Sequence, residues 1–374
     1  LRQTCVCPPS YAVWSRVCFC LQALRFASSC AMRALTLSDT LSLQVDLPTP
    51  TPQPGEVLIA LRQAGICNTD LELVRGYMGF AGIPGHEFVG RLVEVPPGLC
   101  DESGQPLTVG CRVVAEINCS PPGGPHLPAL RAHDPKRTTL GIFRRNGAFA
   151  EYLTVPAQNL HRVPDAVSDD QAIFVEPLAA ALQILEQVKL APTHRVAVMG
   201  DGKLGLLCSQ VLAQGSAAVV WAIGKHPRKL ALLDGRKGVT TCLLGEVAAR
   251  APNLFDVVVE CTGSPAGLEQ AISLLRPRGT LVLKSTYAPP LLGEDPARSR
   301  LAQTQLQQAL TKVVIDEIRV MGSRCGPFGA ALRLLSEGRV SVEPMIHSRF
   351  RLEDGVAAFR AAAEPGVLKV VLTP

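Results

Sequence analysis

Aromatic residues supply only 5% of the 374-residue chain. No uncharged apolar run is long enough to cross a bilayer, which excludes a membrane-spanning helix of the usual kind. Dense Lys/Arg stripes interleaved with aromatics are also missing, so nothing suggests a nucleic-acid surface. The formal charge of +5 owes three of its positives to residues 1–31, which hold Arg2, Arg16 and Arg25 and no acid. The rest is close to balanced. A regular cysteine framework is absent as well. Of 13 cysteines, five (Cys5, Cys7, Cys18, Cys20, Cys30) fall in that leader and the others are scattered, as expected of free thiols in a reducing compartment.

The basic, acid-free, serine-containing leader has the composition of an organelle transit peptide. A translated upstream segment with no role is the plainer reading, because the chain opens on Leu1 and Met32 begins a strand-like stretch, Met32-Arg33-Ala34-Leu35-Thr36-Leu37. Residues 1–31 are expected to be disordered. The protein is expected to be cytoplasmic, or organellar if the leader is a targeting signal.

The length suits two domains. From Met32 to about Val163, short apolar runs such as Glu56 to Ala60, Phe88 to Val95 and Cys111 to Ile117 are broken by turn residues, giving a β-rich domain of hairpins. Ser168 and Gln171 then have capping-box spacing before an apolar stripe running to Leu190, which predicts one long helix. Beyond it, strands at Arg195 to Gly200, Ala217 to Ile223, Phe255 to Glu260 and Thr280 to Leu283 alternate with helices, as in an α/β parallel sheet. A helix from Gly329 to Leu335, another around Leu352 to Ala362 and a strand at Leu368 to Leu372 close the chain.

Arg195-Val-Ala-Val-Met-Gly200-Asp-Gly202-Lys-Leu204-Gly205 is a strand entering G-x-G-x-x-G and then a helix. The first glycine allows a tight turn, the second a close approach of backbone to a pyrophosphate, and the third close packing of helix on strand. The acid that NAD enzymes place after the second strand is absent. Gly224 stands there, followed by Lys225, His226, Pro227, Arg228 and Lys229. Losing a carboxylate and gaining cations suits a 2′-phosphate, so NADP is favoured over NAD.

Three separated pieces carry metal-binding residue types: Gly65-Ile-Cys67-Asn-Thr69-Asp70, Gly85-His86-Glu87, and Phe174-Val-Glu176-Pro177. Cys, His and carboxylate are ligands that zinc takes in catalytic sites. These pieces, the glycine fingerprint, Gly147-Ala-Phe-Ala-Glu-Tyr152 and Gly322-Ser-Arg324 occur together in the order of one family. From Met32 to its end the chain resembles the medium-chain dehydrogenase/reductase superfamily in its zinc alcohol dehydrogenase branch, closest to polyol and threonine dehydrogenase-type members.

The resemblance implies a GroES-like β-rich catalytic domain, 32–163 with 326–374, and a Rossmann doubly wound parallel-sheet domain, 164–325, with the site between them. It implies one catalytic zinc on Cys67 and His86. Glu87 and Glu176 compete for the remaining position, and the sequence does not rank them. Thr69 stands where the family keeps a proton-relaying hydroxyl, and Glu72 where many relatives carry the next relay histidine. Arg324 is placed to reach a cofactor phosphate. The implied reaction is oxidation of a small alcohol, or reduction of a carbonyl, by hydride exchange with the nicotinamide in a dimer or tetramer.

Two further departures stand out. Pro96 replaces a usual glycine. Relatives often hold a structural zinc with C-x2-C-x2-C-x7-C, but that spacing from Cys119 falls on Pro122, Pro125 and His133, and Ser120 to Arg137 has no cysteine. The lobe is therefore expected to be metal-free and mobile. The competing readings are a zinc-free quinone or enoyl reductase, which would lack the Cys/His/Glu set, and a non-catalytic NADPH-binding protein, which would show no alcohol-dependent cofactor reduction.

Overall fold

The computed structural model describes residues 31–374 except 102–103, 122, 126, 218, 251–254 and 288–295. The leader thus lies outside the described residues but for Ala31. His126 and Pro122 of the lobe lie outside as well.

Two large sheets organise the chain. The first has seven strands. Leu160–Arg162, Arg112–Ala115, Glu87–Glu94, Glu56–Gly65, Lys369–Thr373 and Ile346–Arg351 run side by side in that order, and Tyr152–Pro156 also pairs with Glu56–Gly65. Its pairings are antiparallel except that between the last two C-terminal strands. The C-terminal segment therefore completes a sheet begun some 300 residues earlier, as the pairing of Val371 with Gly65 shows.

The second sheet is wholly parallel. Its six strands stand in the order Val239–Leu243, Val219–Gly224, Arg195–Met199, Phe255–Glu260, Leu275–Leu283 and Arg319–Gly322. In chain order this is third, second, first, fourth, fifth and sixth, which is the doubly wound arrangement. Its strands are apolar on both faces because helices cover both. Val196 and Val198 pack into a core that includes Leu206, Leu207 and Val211 of helix Lys203–Leu212, while Ala197 and Met199 face a second core with Ala271 and Ile272 of helix Pro265–Ser273. The strand order reverses between Arg195–Met199 and Phe255–Glu260, and a ligand crevice opens at the carboxyl ends of strands at such a point.

The long helix expected after Ser168 is two. Ser168 does cap a helix, with Gln171 N–H donating to its Oγ at 3.1 Å, but that helix ends at Ala172. A second, Val175–Gln187, starts after Phe174. Pro177 is the cause. Its missing N–H is harmless in a first turn, but its ring would strike the carbonyl four residues back were the helix continuous. The restart sets Glu176 in that first turn.

Helix Pro296–Ile315 was not foreseen. Its glutamine-rich middle, Gln303, Gln305, Gln307 and Gln308, carries no clear apolar stripe, and among described positions 304–315 Ala309 is buried and Val313 packs partly against the core. The stretch Leu352 to Ala362 is likewise not one helix but a short turn, Leu352–Asp354, before helix Gly355–Ala363.

The glycines of the fingerprint serve different ends. Gly200 has φ +122°, a conformation that side chains resist. A Cβ on Gly205 would lie 1.9 Å from the Gly200 carbonyl oxygen, whereas one on Gly202 would meet nothing within 4 Å. Gly205→Ala is therefore expected to cost about 1–3 kcal/mol through overpacking. Gly202→Ala should leave the thermal midpoint nearly unchanged and weaken only dinucleotide binding. Equal losses of midpoint in the two variants would show that neither glycine has the role assigned to it.

Candidate active site

Strand Glu56–Gly65 delivers the chain to Ile66, whose N–H donates to the Val370 carbonyl at 2.9 Å. The chain then turns into helix Asn68–Val74 with Cys67 at its N-cap. Asp70, fully buried in that first turn, accepts the Cys67 N–H at 2.8 Å and the Gly85 N–H at 3.3 Å. Gly85 has φ +97°, and a Cβ there would lie 2.7 Å from the Phe149 ring, so only glycine turns the chain at this point. His86 follows, its Nδ1 facing Asp70 Oδ1 at 3.3 Å without the alignment of a hydrogen bond. Glu87 opens the next strand, opposite Gly65.

Cys67, His86 and Glu87 thus converge, with one donor atom of each within 4.8 Å of the others. They are the one such group of three among the described residues. A thiol, an imidazole and a carboxylate, two of them buried, fit the needs of zinc. Burial works against a positive His86, but the Asp70 carboxylate and Cys67 outweigh it and hold the imidazole well above its usual range. A carboxylate behind a metal-facing histidine also fixes its ring orientation.

The sequence reading overlooked Lys369. It lies in the otherwise apolar strand Lys369–Thr373, fully buried, and its Nζ forms an ion pair with Glu87 Oε2. Desolvation lowers the Lys369 pKa, and the Glu87 charge more than reverses this. The signal was in the sequence, as one lysine in the run Leu368-Lys-Val-Val-Leu372. A second lysine, Lys203 of the fingerprint, donates to the Ile66 carbonyl at 3.3 Å. Lys284 donates to the carbonyls of Ala180 at 2.7 Å and Arg324 at 2.9 Å, beside Glu176.

Glu176 lies outside the group of three but within its field. Burial raises its carboxyl to about 7, against the opposing pull of His86. The Thr69 hydroxyl is 3.7 Å from Cys67 Sγ. Glu72 pairs with Arg75 Nη1 at 2.7 Å. Thr69, Glu72, Glu176 and the three converging residues all line one cleft of about 1120 Å³.

Gly200, Gly202, Leu204, Gly224, Lys225, Lys229 and Arg324 line the same cleft, whereas Gly205, His226 and Arg228 do not. Gly205 is buried under the loop, and His226 turns its Nδ1 to Asp201 at 3.0 Å. Arg324 also donates to the Ala132 carbonyl, which ties the cleft to the lobe. Buried Glu260 holds the cleft-lining Thr262 and Gly263 by accepting from their N–H groups, and it also accepts from the Tyr287 hydroxyl at 2.9 Å. The open space over Gly202, at the uncapped start of helix Lys203–Leu212, is what a pyrophosphate requires.

Residues 53–165 match the alcohol dehydrogenase GroES-like domain and residues 234–371 match a zinc-binding dehydrogenase domain. The chain is 27% identical over 347 residues to sorbitol dehydrogenase of Halalkalibacterium halodurans, covering 87% of this chain and 94% of that one. It is 29% identical over 327 residues to (R,R)-butanediol dehydrogenase of Bacillus subtilis, covering 82% and 88%. The crystal structure of 2R,3R-butanediol dehydrogenase from Bacillus subtilis matches with a TM-score of 0.74 at 26% identity, over 92% of this chain and 100% of that one. RspB from Escherichia coli, solved with NADH, matches with a TM-score of 0.75 at 25% identity, over 92% and 99%. The chain belongs to the zinc-dependent alcohol dehydrogenase branch of the medium-chain dehydrogenase/reductase superfamily.

The lobe after strand Arg112–Ala115 holds the lone Cys119. Cys119 is buried, its Sγ near the Ile117 carbonyl and Asn159, and burial raises its thiol to about 11. An ion pair joins the lobe to the strand before it. Arg131, 1% exposed, donates to Glu116 Oε2 at 2.8 Å, and Glu116 Oε1 faces His161 Nε2 at 3.1 Å.

The buried Lys369–Glu87 pair makes a prediction independent of turnover. Lys369→Met leaves an uncompensated carboxylate in the interior and is expected to destabilise the metal-stripped protein by about 3–5 kcal/mol. A denaturation midpoint equal to that of the parent protein would mean that Glu87 is balanced by other groups.

Proposed function

We propose that the chain oxidises a small polyol or vicinal diol to the carbonyl compound, or catalyses the reverse, with zinc on Cys67, His86 and Glu87 and with NADP(H) preferred to NAD(H). The supporting observation is the convergence of three different zinc-type donors in a cleft that also contains the glycine loop. Convergence also argues against the zinc-free reductase reading, which has no use for these donors. The domain division is 32–163 with 326–374 for the catalytic part and 164–325 for the dinucleotide part. Sorbitol and butanediol dehydrogenases among the relatives support the substrate class, as do Asn68, Asn118, Arg137 and Thr139 lining the cleft.

Zinc bound there would supply Lewis acidity to a substrate oxygen, and the nicotinamide would take or give the hydride. The chain's residues do the rest. Asp70 orients His86 and anchors Cys67 through its N–H. Lys369 pairs with Glu87 Oε2 and would hold the carboxylate in place for a bound zinc. Glu176, outside the trio, would be the alternative carboxylate to hold the zinc or a water bound to it. Thr69 passes the substrate proton outward, with Glu72 as the next station. Lys225 and Lys229, with no acid at Gly224, favour a 2′-phosphate, and Arg324 stands ready for another cofactor phosphate. Free thiols at all eight described cysteines support a reducing, cytoplasmic setting, and the exposed edge strand Arg319–Gly322 supports a homo-oligomer. No described helix is long and apolar enough to cross a membrane.

The deciding experiment is a panel of polyols, diols and their carbonyl partners with both cofactors, with zinc measured on the same sample. Cys67→Ser and His86→Ala should each remove turnover and leave NADPH binding near its parent value. Turnover that survives either change would favour the zinc-free reading, and cofactor binding without turnover on any substrate would favour a non-catalytic binder.

Thr69→Val should lower alcohol oxidation at neutral pH by about 100-fold or more, and Thr69→Ser should be mild, because only the hydroxyl relays the proton. Valine activity equal to the parent across the pH range would make Thr69 a packing residue.

One zinc per chain is expected in dialysed protein, absent from Cys67→Ser. A stoichiometry near two, with one zinc surviving that substitution, would assign a metal to the lobe.

A further inference from the structure

The carboxylate missing after the second Rossmann strand is supplied from elsewhere. Asp201, between the first two glycines of the fingerprint, is 8% exposed and lines the cleft. Its Oδ2 accepts the N–H groups of Lys225 and His226, both at 2.6 Å, and its two oxygens face His226 Nδ1 at 3.1 and 3.0 Å. A Cβ on Gly224 would lie 2.5 Å from both Asp201 Cβ and Oδ2, so the Asp201 side chain fills the volume that a residue at 224 would use.

We propose that Asp201 is a specificity-determining residue for the dinucleotide: its carboxylate accepts the adenosine ribose 2′-hydroxyl in place of an acid at 224 and limits the preference for a 2′-phosphate. This rests on the nicotinamide reading above. The two backbone N–H groups after Gly224 are natural donors to a 2′-phosphate, and Asp201 has already engaged both. A phosphate entering there meets a carboxylate and must draw its binding from side chains such as Lys225 and Lys229. A ribose hydroxyl instead meets an acceptor fixed by three donors. Burial works against the charged form of Asp201, but hydrogen bonds from His226 and Lys225 outweigh it and hold the carboxyl below its usual range. Gly224 is required by the same arrangement, since Gly224→Asp would collide with Asp201 and could not restore an acid at the strand end without displacing it.

The test compares parent protein with Asp201→Asn, which keeps the shape and an acceptor oxygen but removes the charge. Dissociation constants are measured for NADH and NADPH, and for the fragments AMP and adenosine 2′-monophosphate, by calorimetric titration, alongside kcat/KM for both cofactors. Asp201→Asn should raise the ratio of 2′-phosphorylated to unphosphorylated affinity by about tenfold, for intact cofactors and fragments alike, from the loss of one nearby negative charge. An unchanged ratio, or an equal weakening of both ligands, would overturn the proposal and leave Asp201 as a turn-holding residue. Should Asp201→Asn fail to fold, Gly224→Ala decides, because its Cβ displaces the Asp201 carboxylate and should shift the fragment ratio the same way. A parent protein that binds neither NADH nor NADPH would instead bring down the nicotinamide reading itself.

Discussion

Asp70 is the point on which the catalytic half depends. Its carboxylate is shut away from water, which would be costly if it lacked partners. It has three, from two different loops: the N–H of Cys67, the N–H of Gly85 and the edge of His86. The local sequence makes this meeting possible. Cys67 to Asp70 is one helical turn, so the carboxylate swings back to the helix start, and Gly85 alone can take the conformation that brings its N–H there. One buried acid thereby sets the separation of a thiol and an imidazole that lie 19 residues apart in the chain. Lys369 plays the reciprocal part for Glu87. It comes from the C-terminal strand, so the site is finished only when the last residues pair with Glu56–Gly65. Buried ion pairs contribute little net stability compared with apolar packing but penalise every arrangement in which one partner is missing. Here that penalty couples closure of the sheet to assembly of the site.

The dinucleotide half works by exclusion of side chains. Gly205 is needed for contact of helix and strand, Gly200 for its dihedral and Gly224 for the room that Asp201 takes. Only Gly202 looks onto open space. Glycines that look alike in a sequence therefore answer to different forces.

Much of this was legible in the sequence, and the exceptions share a cause. The parallel sheet, the fingerprint and the Cys67, His86 and Glu87 pieces are local patterns with a fixed period or spacing. The break at Ile173–Phe174 was also local, written in Pro177, but the apolar stripe ran on through it and masked the stop. Helix Pro296–Ile315 could not be read by periodicity because its glutamines blur the two faces. Asp201 and Lys369 are a different matter. Each looks ordinary in its own segment, one a loop acid and the other a stray cation in a strand. Their meaning lies in partners 24 and 282 residues away. The absent acid at Gly224 was readable, but its replacement by a side chain from the neighbouring strand's loop was not, because spacing along a chain says nothing about which loops share an end of a sheet.

The lobe shows how charge pairing can tie a segment to the body of a fold. A structural zinc gathers four ligands and removes chain entropy in one step. Here Glu116 sits at the end of strand Arg112–Ala115 and receives Arg131 on one oxygen and His161 on the other, while Asn159 ties the backbone carbonyls of Glu116 and Asn118 at 2.8 and 2.7 Å. An arginine this deeply buried is stable only if its carboxylate is present, so the lobe must fold onto the strand for either charge to be satisfied. The Arg324 contact with the Ala132 carbonyl extends the same restraint to the wall of the cleft. The lobe is thus tied to the body of the protein by charge pairing.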